Sequence, residues 1–317
     1  MKDDRQLGIA TQGRIGVFAV VLVLSAAFSL DSLAQRPLAG TAETMDTRAL
    51  GLGGATRSTA SSTTGLYLNP ATIAMARLYH INLMYQFTGE EDMHMGGAAI
   101  VDSVTSSKIA AGLALNYTGN NLKRSDFERW DARLAMAGNF GDVFFLGMTG
   151  RYLRVESDLE GGDRGPNGKP AMPASGSQQV DGFTFDAGAA VRILNLVSIG
   201  VTGYNLTNTK SIYAPIKLGS GAGLTLFEML LIEADVVLDF TSFDKPNQQI
   251  NSGVEVFLGG RVPLRVGYIY DVHYDLNTIT AGIGYTDAAF AVDFGYQQEI
   301  VDRGRFMLSF GIRIFIG

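Results

Sequence analysis

Near the end of the chain the residues alternate strictly. Phe306, Leu308, Phe310, Ile312, Ile314 and Ile316 fall on one face, and Met307, Ser309, Gly311, Arg313 and Phe315 on the other. A period of two is the repeat of an extended strand and not of a helix. The same rule recurs upstream. Ala288, Phe290, Val292, Phe294 and Tyr296 oppose Ala289, Ala291, Asp293, Gly295 and Gln297; Leu264, Val266, Tyr268 and Tyr270 oppose Arg265, Gly267, Ile269 and Asp271; Ile232, Ala234, Val236, Leu238 and Phe240 oppose Glu233, Asp235, Val237 and Asp239. Each piece is about ten residues long, the length of a tilted strand crossing a membrane.

A soluble sandwich shows the same alternation, so the position of the charges and the bulk has to discriminate. Here the polar face is rich in glycine (Gly219, Gly221, Gly223; Gly282, Gly284), as suits a wall facing a filled or narrow lumen. Tyr85, Phe87, Tyr117, Trp130, Tyr152, Tyr270, Tyr285 and Tyr296 gather near strand ends on the apolar face, like the aromatic girdles of a membrane interface. A charge at the lipid midplane costs about 2–4 kcal/mol, so Arg265, Arg313, Glu233 and Asp235 belong inside. Slipping a strand by one residue would turn them out to lipid, which fixes the register.

Composition narrows the class. Only 18% of the 317 residues are charged and 39 are glycine, unlike an average soluble domain, where about a quarter is charged. With no cysteine, a disulfide framework, a cysteine metal site and lipoprotein acylation are excluded. A net charge of −6 argues against a nucleic-acid partner, and three scattered histidines (His80, His94, His273) against a histidine-rich metal site. No cofactor is expected.

Candidate strands lie near 79–88, 93–102, 107–117, 127–137, 143–154, 180–192, 196–206, 215–226, 231–241, 249–259, 263–272, 277–286, 287–297 and 305–316. That is about 14, an even number, and the expected fold is all-β: an antiparallel transmembrane barrel. With both termini periplasmic, connections after even strands should be the short ones, and they are. The longest connection, Glu156 to Gln178, is polar and rich in Gly and Pro and follows the fifth strand, on the outer side.

Before the strands come two segments of different character. Residues 1–34 read as a cleaved signal peptide: Lys2, Arg5 and Arg14 are basic, Ile15 to Leu30 is apolar, and Ser32-Leu33-Ala34 supplies small residues for cleavage. The apolar run is short for a membrane anchor, where about 20 residues are needed. Residues 35–77 read as a plug or hatch, and 78–317 as the barrel. Within the plug, Arg48 to Met75 begins with Gly51, Gly53 and Gly54, passes a hydroxyl-rich run, and ends in Asn69-Pro70-Ala71, with Asn69 and Pro70 set to open a short helix through Ala76.

RALGLGGA, followed after a spacer by GLYLNPATIA, resembles the N-terminal signature of FadL-type and PorV-type outer-membrane barrels. FTFDAGAAVRI (183–193) and SIGVTGYNLTN (198–208) resemble weaker family echoes. The resemblance implies a 14-stranded barrel in the outer membrane with an N-terminal plug. It also implies a function in transport or secretion: passage of hydrophobic solutes, or docking of secreted proteins at extracellular loops. The mature length and the polar longest loop lean toward the PorV-like branch. Three departures stand out: Ser61-Ser62-Thr63 replaces the spacer's common acidic pair, Thr72 replaces a glycine, and the chain ends Phe315-Ile316-Gly317 instead of on an aromatic residue.

Gly219-Ser220-Gly221-Ala222-Gly223 lacks the spacing and the strand-to-helix setting of a nucleophile elbow, and no serine, histidine and acid share a face, so an outer-membrane hydrolase is the weakest reading. The lumen candidates are Arg151, Asp186, Arg192, Glu233, Asp235, Asp239, Arg265, Asp293 and Arg313, joined by Asp131, Arg133, Lys217 and Glu255. Both signs are present, which favours ion pairs bracing wall and plug over a solute path. The Glu233/Asp235/Asp239 row is the sharpest local excess and the first place to look for ligand or plug contact. Gly51, Gly53, Gly54, Asn69, Pro70 and Ala71 are the gate candidates. Expected partners are membrane lipid and either a hydrophobic small molecule or a secreted protein; the oligomeric state is left open, as is a purely structural barrel.

Overall fold

The computed structural model describes residues 43–89, 92–120, 127–157, 178–207, 211, 213–242, 245–300 and 305–316. The signal-peptide reading, residues 35–42 of the plug and most of the Glu156–Gln178 connection lie outside them. Fourteen strands form one closed antiparallel barrel, each paired with its sequence neighbours and the first with the last. In chain order they are β1 (Tyr79–Thr88), β2 (Met93–Asp102), β3 (Ile109–Asn120), β4 (Phe127–Phe140), β5 (Phe144–Ser157), β6 (Gln178–Ile193) and β7 (Val197–Tyr204). They continue with β8 (Lys217–Leu226), β9 (Leu230–Asp239), β10 (Asn247–Leu258), β11 (Val262–Asp271), β12 (Leu276–Thr286), β13 (Phe290–Glu299) and β14 (Phe306–Ile316). Closure leaves no free edge, the condition for a sheet to cross lipid.

The alternation sets the two faces. On β14, Phe310, Ile312, Ile314 and Ile316 are exposed on the outer surface, while Ser309 is buried within. On β11, Val266 is 59% exposed and its neighbour Arg265 only 2%. Moving the charge one residue across is therefore diagnostic. Val266→Arg should lower the stability of the barrel refolded in vesicles by about 2–4 kcal/mol in a urea titration, the cost of a lipid-facing arginine near mid-wall.

The wall is uneven. β4, β5 and β6 run 14, 14 and 16 residues, longer than their alternation alone suggested, because the β5–β6 register stays paired from Phe144↔Val191 through Ser157↔Gln178. β7 has only eight. One end of the barrel, here the turn end, carries tight connections and both ends of the sheet, Tyr79 and Ile316. At the other, the loop end, outward tyrosines reach polar partners on the next strand: Tyr85 to His94 (2.6 Å), Tyr117 to Glu128 (2.8 Å) and Tyr152 to Asp181 (2.7 Å). A ring in lipid with its hydroxyl toward water is what an interfacial girdle requires.

The segment from 43 to 76 lies inside the barrel. Two short helices, α1 (Thr47–Gly51) and α2 (Gly65–Leu68), alternate with 3₁₀ turns at Ser62–Thr64 and Pro70–Ala74. Asp46 caps α1, its Oδ1 accepting from the Ala49 amide at 2.9 Å. Asn69 caps the last turn, accepting from Ala71, but this turn is 3₁₀ and stops at Ala74, not a helix through Ala76. The Thr72 hydroxyl helps to tighten it by donating back to the Asn69 carbonyl (2.7 Å). Most residues from Ala49 to Ala74 are fully buried, and Leu66, Tyr67, Leu68, Ala71 and Ile73 build one apolar core with Val101, Ala135, Phe145 and Ala190 of the wall.

Candidate functional site

The interior of the wall is shaped to the plug. At inward glycines the plug backbone comes closer than any side chain would allow. A Cβ on Gly147 of β5 would meet the Pro70 carbonyl and the Ala71 amide, one on Gly200 of β7 the Arg57 carbonyl, and one on Gly267 of β11 the Leu52–Gly53 peptide, all within 3.0 Å. The plug in turn bends through Gly53 and Gly54, both at positive φ (63° and 70°), where it passes Tyr268 and Asn251. Gly51 is fixed by the Thr280 hydroxyl, which donates to its carbonyl at 3.0 Å. Asn69 ties the two halves of the plug to the wall, its Nδ2 donating to the Arg57 carbonyl (2.8 Å) and to that of Ala189 in β6 (3.3 Å).

Three ionic groups fasten this packing. The first joins α1 to β10–β14. Arg48 donates to Glu255 (2.8 and 3.2 Å), Glu255 accepts from Arg265 (2.6 Å), Arg265 reaches Asp293 (2.7 Å), and Asp293 accepts from Arg313 (2.9 Å). The second sits on β9. Asp235 accepts from the amides of Thr56 and Arg57 (3.0 Å each) and from the Arg57 guanidinium (3.1 Å). Glu233 accepts from the Ser58 amide and hydroxyl (2.7 Å each) and from the Thr59 hydroxyl. Successive amides turned toward carboxylates form an anion-binding nest, built here by the plug around two side chains of the wall. Asp239 is not part of it: it caps the next connection, accepting from the amides of Thr241 (3.0 Å) and Ser242 (2.9 Å).

The third group lies nearer the loop end. Asp131 of β4 is 1% exposed and accepts from Arg133 (3.1 and 2.9 Å) and Arg151 (2.9 and 2.6 Å), with Arg129 at 3.6 Å. Arg133 also donates to the carbonyls of Leu66 and Tyr67, locking α2. Arg151 continues to Asn205 (3.0 Å), whose amide donates to Asp186 (2.8 Å). Arg192 stands apart, donating to the Met75 carbonyl (2.9 Å) at the plug's exit.

Against this third group lies a cavity of about 30 Å³, lined by Arg129, Arg133, Arg151, Lys217, Glu43 and Tyr213 among others. Among the described residues four cationic side chains and one carboxylate face it. That carboxylate, Glu43, belongs to the plug and bonds Arg57 at 2.5 Å. Burial pushes its pKa up, but Arg57 and Lys217 outweigh burial and hold it below the usual range. Above the cavity, toward the loop end, Met93, Phe127, Leu153, Val155, Val180, Tyr213 and Ala214 form a second apolar cluster on the inner side. Phe127 and Leu153 lie two residues nearer the loop end than Arg129 and Arg151 on the same faces, and Tyr213 belongs to both cluster and cavity.

All nine lumen candidates read from the alternation face inward, and the structure gathers them into these groups, except for Asp239 and Arg192. Sequence reasoning missed Arg57, Glu43, Arg129, Asn205 and Tyr204, whose hydroxyl accepts from the Arg57 Nε at 2.9 Å, and gave Arg48 no role. A signal was present for two of them: Arg48 and Arg57 are the only charged residues between Asp46 and Arg77. A lone arginine in an otherwise uncharged buried segment needs an acid in the wall.

No protein-family model matches the sequence, nor does any curated protein sequence. Solved structures do match over most of the chain. A monoaromatic hydrocarbon channel, CymD, aligns with a TM-score of 0.64 at 9% identity, covering 86% of this chain and 97% of that one. The toluene transporter TbuX of Ralstonia pickettii gives 0.64 at 12% identity, over 87% and 99%. A FadL homologue of Pseudomonas aeruginosa gives 0.61 at 13% identity, over 86% and 99%. At such identities the likeness establishes a shared fold.

Proposed function

We propose that this barrel admits hydrophobic small molecules across the outer membrane and that residues 43–76 gate it. The loop end then faces outside and the turn end the periplasm, following the rule of short periplasmic turns. The observation that carries the reading is the inward apolar cluster at the loop end, seated on a cavity with four cations, with the plug directly beneath. A solute would leave water at Phe127, Leu153 and Val155 and meet Arg129, Arg151 and Lys217 with any polar or anionic end. Passage further requires the plug to shift, because the described wall is paired all the way round and the plug fills its middle. The fold shared with hydrocarbon and toluene channels supports the same reading.

A second reading, docking of secreted proteins at the loop end as in PorV-like barrels, has one structural point in its favour. Two loop-end connections, 89–92 and 272–275, are only four residues long, too short to screen the strand ends beside them from a large partner. Uptake measurements separate the two. A strain lacking the protein should take up a labelled long-chain fatty acid or labelled toluene more slowly, and the restored gene should recover the rate. Unchanged uptake together with lost surface display of secreted proteins would sink the transport reading.

A further inference from the structure

The turn end closes four hairpins with three-residue connections whose first two residues both have positive φ: Gly141-Asp142, Leu194-Asn195, Phe227-Glu228 and Gly259-Gly260. Such turns call for glycine or asparagine, because a Cβ is crowded at positive φ. Two of the four obey at the first position. The other two place leucine and phenylalanine there, against the local preference, and leave them 88% and 85% exposed. A bulky residue kept where the backbone disfavours it points to a use for its side chain.

The flanking residues share the character. Phe140, Val143 and Phe144 surround the β4–β5 turn, Ile193 and Leu196 the β6–β7 turn, and Met229 follows Phe227, all of them exposed. These three hairpin ends are consecutive around the rim and joined edge to edge, the Arg192 amide donating to the Val143 carbonyl and the Thr225 amide to that of Leu196 (2.8 Å each). Elsewhere the connections themselves are polar or small apart from Val104, with single exposed apolar residues (Ile109, Leu258, Phe290) only at the strand ends: Ser103 to Lys108 after β2, Gly259 to Arg261 after β10, and Asp287 to Ala289 after β12.

We propose that the β4–β9 arc of this rim is immersed in the acyl region of the periplasmic leaflet, so that the barrel sits tilted toward that side. The arc is continuous with the lipid-facing band of the wall, through Leu146, Ile193, Ile199 and Ile232. One strand of this arc, β7, is also short, although β4, β5 and β6 beside it are the longest of the wall. The eight residues of β7, at about 3.3 Å each and a tilt of about 40°, rise about 20 Å, less than the roughly 25 Å of the apolar band. Exposed leucines extend it at both ends, Leu206 above and Leu194 and Leu196 below. Lipid fits this apolar arc better than water does, and the strained turns place its most exposed side chains at the depth where the strands run out.

Trp130 is the only tryptophan, so Trp130→Phe gives a dark background in the full-length protein. Phe227→Trp, Leu194→Trp and, as a control on the polar arc, Ser106→Trp are each reconstituted into phosphatidylcholine vesicles with or without brominated acyl chains. Expected at 227 and 194 is emission lost to brominated chains and protected from acrylamide; at 106 the reverse. Acrylamide quenching at 227 and 194 without bromine quenching overturns the proposal and leaves the arc as a surface for a periplasmic protein. If the tryptophan variants do not fold, single cysteines at 194 and 106 serve, the native chain having none. A membrane-impermeant maleimide supplied on both sides of the vesicle should label 106 fast and 194 slowly, and equal rates contradict immersion.

Discussion

Asp131→Ala is expected to cost the folded barrel about 3–5 kcal/mol, the largest loss from any single truncation in the lumen. The carboxylate is shared by two bidentate arginines, Arg133 and Arg151, with a third, Arg129, close by. Alanine leaves these buried guanidinium groups facing each other with their common counter-ion gone. Asp186, the other acid of the group, is already engaged by the Asn205 amide. The loss should extend to the plug, because Arg133 holds the α2 carbonyls and loses its orientation with Asp131. Asp131→Asn keeps the shape and one acceptor oxygen but loses the charge and turns an NH2 donor toward a guanidinium, and should fall between wild type and alanine. Asp181→Ala, which removes an exposed partner of Tyr152, should change little. Urea unfolding in vesicles, read by the mobility difference between heated and unheated samples, ranks the three.

The second large effect concerns the seat of the plug. Gly147→Val puts a branched side chain where Pro70 and Ala71 now lie, and both contacts are backbone, so no rotamer change relieves them. Overpacking of this kind costs about 1–3 kcal/mol, and here the plug is the part free to yield. The β5 ladder does not depend on it, since Gly147 pairs with Ala137 and Gly188 through the main chain. The variant should therefore keep the heat-modifiable barrel while its plug becomes sensitive to protease and its conductance in planar bilayers rises. Gly150→Val is the matched control: it lies on the same strand, but on the outer face, with only Phe185 and a Leu134 carbonyl within 4.0 Å. It should leave conductance and protease resistance as they were.

The barrel was legible because alternation is local. Whether Phe294 faces lipid and Asp293 the lumen is decided by neighbours one residue away, and the strand count and parity follow from repeating that test. The long β5–β6 hairpin was less legible, since its extra pairs are fixed between strands and leave no mark within either. The plug's partners were legible in kind only. Glu233 and Asp235 stood out as an acidic row, but the alternation does not say that one meets an arginine and the other only hydroxyls and an amide. That depends on where Thr56 to Thr59 pass, which the main chain at Gly53 and Gly54 decides. The cationic cavity was hidden for a similar reason. Arg129, Lys217, Tyr213 and Glu43 come from four separate segments, and none carries a motif that points to the others.

A tethered plug tests gating most directly. Thr47 of α1 and Ser309 of β14 share a hydrogen bond between hydroxyls at 2.7 Å, so Thr47→Cys with Ser309→Cys places two thiols in contact in a chain that otherwise has no cysteine. Oxidation should close the disulfide in the folded barrel and hold α1 on the wall. With the tether closed, uptake of the labelled hydrophobic solute should fall to the level of the deletion strain, and a reductant should restore it. Full uptake through the oxidised, verified disulfide would contradict a gate that has to leave its seat.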